Sequence, residues 1–372
     1  MGPSVLLAGA FGQDNPGDES VLDAFVSALS GCRVSATVGR LPADRPPAFR
    51  PVLAADRAAV AREAMRADLT VATATVFKTL HPSSGRSPLG LLGATLALSA
   101  AARVAGRPVA MAGVGAGDLA HPLAPALTRV IVGSAGLVRL RDEESAAVLA
   151  AAGVRRPLPI GADVVWAAMD RFPSSGTRRP PGRAGRAVIA LSHLAGGDTL
   201  VGALQEAAVG LVGSGFEVVL HPWQPEQDRP MAAAVAAGCR VPVQVWDPPP
   251  DVPSAARDYR GATVVIGLRF HSLVAAASAG VPFVAVAHEP KLTGVARRLG
   301  QRAVTPAVSG PDLLGAVLEA ATGPPASTSS VMAESVRAAA TLEEVRCAAH
   351  AAAARRRRFR WGTAPRRATS AW

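Results

Sequence analysis

Short apolar runs alternate along this chain with segments of helical period. Residues 5–8 form the first run. They enter a turn-rich stretch over 9–17, and a helical pattern follows over 18–29. Runs at 34–38, 69–72, 109–113 and 136–140 read as strands, and 54–66, 89–105, 122–133 and 143–152 read as helices. Residues 171–186 are rich in Pro, Gly, Ser and Arg and lack an apolar period, as a linker does. The pattern then restarts, with strands at 187–191, 217–220, 243–246, 264–267 and 281–287 and helices at 199–212, 231–237 and 272–279. Such alternation predicts a parallel, doubly wound sheet in each half. The reading is an α/β protein of two Rossmann-like domains, residues 1–170 and 187–325, facing a cleft. A helical segment over 326–354 and a basic, disordered tail over 355–372 complete it. Ligands are expected in the cleft, at the carboxyl ends of the strands.

Composition narrows this picture. A chain of 372 residues suits two cores rather than one. Aromatics are 4% against 49% hydrophobic residues, so Ala, Val and Leu must do most of the packing. No apolar run reaches the roughly 20 residues of a membrane span. The longest, residues 89–102, is Ala-rich and followed by Arg103, which reads as a buried helix. The start lacks the basic region of a signal peptide. Cys32, Cys239 and Cys347 lie far apart, without disulfide or metal spacing, so a cytoplasmic location is expected. The net charge is +11, but seven arginines and no acid lie in the last 18 residues. The excess therefore belongs mostly to the tail, which suits contact with anionic lipid or polymer at the membrane periphery and does not call for specific nucleic acid. Of 39 Lys+Arg residues, only Lys78 and Lys291 are lysine. In so Arg-biased a chain, a lysine marks a place that needs a compact ammonium.

Two stretches carry chemistry. In the first, Gly9, Gly12, Asn15 and Gly17 bridge a strand and a helix that opens with Asp18 and Glu19. Backbone N–H groups and a helix dipole meet there, as an anion site requires. The spacing is neither a Walker A loop nor a clean G-x-G-x-x-G. Asp18 reads equally well as a base or as a helix cap. In the second stretch, the strand ending at Gly267 leads to Arg269 and His271, and the next strand leads to Glu289 and Lys291. Alternation at a strand end sends Arg269 and His271 the same way, so Arg269, His271 and Lys291 are expected to converge as a cationic cluster. The plain alternative is an Arg269–Glu289 ion pair. His81, His121, His221 and His350 lack ligand spacing and read as surface or packing residues, and no metal constellation is visible.

In these blocks the chain resembles the polysaccharide pyruvyl transferase family. Gly9-Ala-Phe-Gly-Gln-Asp-Asn-Pro-Gly-Asp-Glu is similar to its G-x-x-G-x-x-N-x-G-D-E opening. Arg139-Leu-Arg-Asp-Glu-Glu-Ser matches its R-D-x-x-S block through Arg141, and Gly161-Ala-Asp163 its short aspartate block. Gly267-Leu-Arg-Phe-His271 matches G-x-R-x-H, and Glu289-Pro-Lys291 matches D-P-K. The resemblance spans roughly residues 5 to 300. It implies a fold like that of GT-B glycosyltransferases, and phosphoenolpyruvate as donor with no other cofactor. It implies a sugar hydroxyl pair as acceptor, on a glycan or lipid-linked sugar of cell-wall or exopolysaccharide synthesis in a bacterium. Arg141 and Arg269 would clamp the donor, His271 and Lys291 would hold its phosphate or protonate its methylene, and Asp18, with Glu19 second, would be the base. The chain departs from the family in three places. Ala72-Thr-Ala-Thr-Val stands where a glycine triplet is common, Asp118 where Pro is common, and Ser192-His193 where Arg is often found. The rival readings are a GT-B-like glycosyltransferase using a nucleotide sugar, with Glu289 on the ribose, and a non-catalytic sugar- or anion-binding relative.

Overall fold

The computed structural model describes residues 2–41, 48–80, 87–169 and 185–361. Its first sheet comprises β1 (Ser4–Phe11), β2 (Arg33–Val38), β3 (Arg50–Leu53), β4 (Leu69–Phe77), β5 (Val109–Ala116) and β6 (Leu137–Leu140). All pairings are parallel, in the order β3-β2-β1-β4-β5-β6. Helices α1 (Pro16–Ala28), α2 (Arg57–Arg66), α3 (Gly90–Val104), α4 (Ala124–Ser134) and α5 (Glu143–Ala151) connect the strands. The second sheet repeats this plan with β7 (Gly185–Leu191), β8 (Phe216–Pro222), β9 (Gln244–Val245), β10 (Val264–Gly267), β11 (Phe283–Val286) and β12 (Arg302–Val304). Its order is β12-β11-β10-β7-β8-β9, also all parallel. Helices α6 (Asp198–Gly213), α7 (Pro225–Gly238), α8 (Val252–Tyr259), α9 (Phe270–Ser278), α10 (Pro290–Arg298) and α11 (Gly310–Thr322) belong to it. In each sheet the strand order reverses beside the first strand, at β1/β4 and at β7/β10. A crevice opens there at the carboxyl ends.

The central strands, such as β4, β7 and β10, are buried on both faces, which is why they appear in the sequence as unbroken apolar runs. In β1, Val5 and Leu7 join one buried cluster and Leu6 another; in β7, Val188 and Ala190 divide from Ala187, Ile189 and Leu191 in the same way. The cluster holding Val5 and Val188 also takes in α1, α8, α9 and the last helix, α12 (Thr328–Trp361), so one apolar body runs through both domains. Helix α3, expected to be buried, buries Leu92, Leu98 and Ala102 but leaves Val104 exposed. Among the described residues, no helix is long and apolar enough to cross a membrane.

Two boundaries differ from the sequence reading. The expected linker lies outside the described residues except for Gly185 and Arg186. These begin β7, because they pair with Phe216 and Glu217. The expected tail begins as helix: α12 continues through Trp361. It packs on the first domain, where Arg139 donates to Glu344 at 2.6 Å and Arg356 donates to Asp68 at 2.9 Å and to the Arg66 carbonyl at 3.0 Å. The remainder of the tail, 362–372, lies outside the described residues, as does His81. Polar bonds also join the domains directly. The Val252 N–H donates to Ser20 Oγ at 2.9 Å, and Arg297 donates to Glu143 and Glu144 at 3.0 and 2.9 Å.

Candidate functional site

The glycine loop is shorter than its sequence suggests. β1 continues to Phe11, which is fully buried and pairs with Val38, so Gly9 lies inside the strand. Gly12 turns the chain at φ +66°, in the left-handed region, and its N–H donates to Glu19 Oε1 at 2.7 Å. Glu19 is thereby committed to holding the loop. Asn15 is the cap of α1: its Oδ1 accepts from the Gly17 N–H at 3.2 Å, and its Nδ2 donates to Asp18 Oδ2 at 2.6 Å. Asp18 is therefore not the cap. Burial raises its carboxyl pKa, against the lowering effect of the His271 and Lys291 charges.

His271 reaches across from the second domain onto this loop. A Cβ at Gly17 would overlap His271 Nδ1, so the ring rests directly on the Gly17 backbone. On its other side, Nε2 lies 3.6 Å from Asp163 Oδ2 and has no hydrogen-bond partner. Asp163 caps the short 3-10 turn Val164–Ala168 through the Val165 N–H. Burial would raise its carboxyl, but His271 and Arg141 outweigh that and hold it at about 2. Arg141 follows β6. Its Nε donates to Asp142 at 3.0 Å, its Nη1 lies 3.5 Å from Asp163, and its guanidinium sits 4.9 Å over the Phe270 ring of the second domain. Only 5% of Arg141 is exposed, yet Nη2 has no partner. Asp142 is the cap of α5 and also accepts from the Ser145 hydroxyl, so the guanidinium is held by a fixed carboxylate.

The expected trio does not converge. α9 begins at Phe270, which puts Arg269 at an extended cap position and His271 inside the first turn. Strand alternation no longer applies, and the two side chains part. Arg269 donates to the fully buried Asp228 from Nε at 3.0 Å and Nη2 at 2.7 Å, and to the Leu191 carbonyl at 3.0 Å. Asp228 also accepts from the backbone of His193, Trp223 and Gln224, and meets His193 Nδ1 at 3.0 Å. These bonds hold its carboxyl well below the usual range despite burial. Arg269 thus ties the ends of β7, β8 and β10 together instead of joining His271 and Lys291.

Glu289 does not pair with Arg269 either. Its Oε1 accepts from Lys78 Nζ at 2.5 Å, and its Oε2 pairs with Lys291 Nζ. Both lysines of the chain, one from each domain, meet on this carboxylate. Burial would raise Glu289, but Lys291 and Lys78 hold it far below the usual range. The group lines a pocket of about 300 Å³ with Thr75, Arg141, Leu194 and His288. His288 Nδ1 has no partner, and burial depresses the basicity of its ring.

Sequence reasoning missed Lys78 as a site residue, although the rarity of lysine marked it. It quoted Asp163 in a motif without giving it a role. Asp228 carried no signal, being one carboxylate in a helix. His221 is fully buried, with Nδ1 3.0 Å from the Tyr259 hydroxyl, and Trp166 and Trp223 are core residues.

In fold, the chain is similar to GT-B nucleotide-sugar enzymes. One is Anabaena Alr3699/HepE solved with UDP and glucose, at 15% identity and TM-score 0.55, covering 96% of this chain and 100% of that one. Another is S. aureus MnaA solved with UDP, at 11% identity and TM-score 0.60, covering 97% of each chain. A third is the Neisseria meningitidis UDP-GlcNAc 2-epimerase bound to UDP-GlcNAc, at 12% identity and TM-score 0.59, covering 92% of this chain and 99% of that one. No curated protein sequence matches the chain. The family model "Polysaccharide pyruvyl transferase" matches residues 77–290, which include Lys78, Arg141, Asp163, Arg269, His271, Glu289 and most of the pocket lining. The chain therefore belongs to the polysaccharide pyruvyl transferase family and is a transferase with a GT-B-like fold.

Proposed function

We propose that the enzyme transfers the pyruvyl group of phosphoenolpyruvate to two hydroxyls of a sugar, forming a ketal and releasing phosphate. The observation that carries this reading is the pocket between the domains. It is lined by Arg141, whose buried Nη2 has no partner, together with Lys78 and Lys291, a set of cations suited to one small ligand bearing both a carboxylate and a phosphate. Arg141 Nη2 would take the donor carboxylate, with the Phe270 ring keeping the guanidinium in plane. Lys291 would take the phosphate. His271, held between Gly17 and Asp163, would deliver a proton to the methylene carbon, leaving the central carbon electrophilic. One sugar hydroxyl adds to that carbon as its proton passes to Asp18, whose raised pKa makes it the better base. The carbon–oxygen bond to phosphate then breaks, and the second hydroxyl closes the ketal. Of the two hydroxyl protons, one balances the new methyl group and the other leaves on phosphate. Arg269 acts by positioning the loop that carries Leu194 into the pocket.

Thermal-shift titration of the wild type and His271→Ala with phosphoenolpyruvate and a panel of nucleotide sugars tests the assignment. Stabilisation by phosphoenolpyruvate alone, reduced in the variant, is the expected result. Stabilisation by a nucleotide sugar alone would overturn it in favour of glycosyl transfer.

A further inference from the structure

We infer that the Glu289 carboxylate is an internal stand-in for a ligand anion, and that an incoming dianion displaces it from Lys78, which becomes the third cation on the ligand. The location rests on the proposed donor site, but the ligand is defined only by its charge. Three observations carry the inference. Both lysines of a chain with 39 basic residues converge on this one carboxylate, from opposite domains. One ammonium would satisfy an ordinary ion pair, and arginine serves the cross-domain pairs at Glu144. Glu289 also occupies the cap position of α10 but makes no capping bond with its side chain, so the helix does not hold the carboxylate in place. Finally, Arg141 lines the same pocket, and its buried Nη2 has no partner. Apart from Glu289, the one carboxylate of the lining is Asp118, exposed at the rim.

The exchange sets a threshold of charge. A monocarboxylate such as pyruvate would replace one carboxylate by another across the same lysines and gain little. A phosphate dianion brings two charges and three accepting oxygens, enough for both lysines and the unpartnered Nη2 of Arg141. Glu289 thus selects for a phosphorylated acid over its dephosphorylated counterpart, and binding releases the Lys78–Glu289 link between the domains.

Calorimetric titration of the full chain at pH 8 with inorganic phosphate, phosphoenolpyruvate and pyruvate tests this. E289Q is expected to tighten phosphate about tenfold and to make pyruvate binding measurable. K78M is expected to weaken phosphate about tenfold and to remove most of the E289Q gain in the double variant. E289D, one methylene shorter and still charged, should fall between wild type and E289Q, and it serves if the amide variant misfolds. Phosphate affinity unchanged or reduced in E289Q, or unchanged in K78M, overturns the inference. The proposed donor is tested separately. Phosphate binding that responds as described, with phosphoenolpyruvate no tighter than phosphate, supports the exchange and removes the donor. Tight phosphoenolpyruvate binding indifferent to Glu289 keeps the donor and removes the exchange.

Discussion

At the scale of single residues, the site depends on how closely His271 approaches Gly17. Nothing about the Gly17 dihedral requires glycine; the imidazole resting on its Cα does. Gly17→Ala places a methyl where Nδ1 now lies, and the ring must turn away from Asp163. A displacement of about 1 Å at a reacting group costs on the order of 10²-fold in rate. The expected outcome is a loss of that order in phosphate release from phosphoenolpyruvate with acceptor present. Circular dichroism and melting temperature should stay close to wild type, since α1 keeps its Asn15 cap. Normal turnover in this variant would remove His271 from the chemistry. Gly17 and His271 were both visible in the sequence as strand-end motif residues. Their contact was not, because it joins residues 254 positions apart across the domain interface.

At the scale of elements, legibility followed burial and length. Long apolar strands such as β1, β4 and β7 stood out because both faces are buried. β3 is four residues long and contains Pro51, β12 is three residues long and opens on Arg302, and α10 starts at a proline; these lacked a period long enough to read. The convergence of Arg269 with His271 failed for a related reason. The strand ends at Gly267, so alternation does not reach either residue. β4 shows the opposite case. Its sequence lacks the glycine triplet common in the family. Ala74 nevertheless adopts φ +65°, the conformation a glycine would take, at a register shift shared with β5 near Gly113. Alanine bears the strain of this irregularity. The left-handed region costs an L-residue about 1–2 kcal/mol, and glycine returns about 0.4–1 kcal/mol of that through the freer unfolded chain. Ala74→Gly is therefore expected to stabilise the protein by roughly 0.5–1 kcal/mol in urea unfolding. A destabilised variant would mean that the Ala74 methyl packs better than its backbone conformation suggests.

At the scale of the molecule, the two domains share one apolar body, and their polar networks set how stability responds to pH. His221 lies in that body against Trp223, Trp246 and Tyr259, and burial lowers its pKa to about 4. Between that value and the ordinary imidazole value of 6.5, the unfolded chain binds the proton and the folded chain does not. Stability therefore rises with pH across this window. The contribution is complete above 6.5 and is lost as pH falls toward 4. Asp163, held at about 2, and the depressed Asp228 and Glu289 extend the same trend at lower pH. Asp18 works in the other direction, since its raised carboxyl favours the fold at low pH and loses that contribution as pH rises through its folded value. The His221 interval is worth roughly 3 kcal/mol in full. The urea midpoint, followed by tryptophan fluorescence, should fall steeply between pH 6.5 and 4.5. His221→Gln, which cannot titrate, should start from a lower midpoint at pH 7.5 and flatten that slope. If the variant keeps the wild-type slope across that window, His221 contributes packing alone, since the depressed carboxylates act only at lower pH.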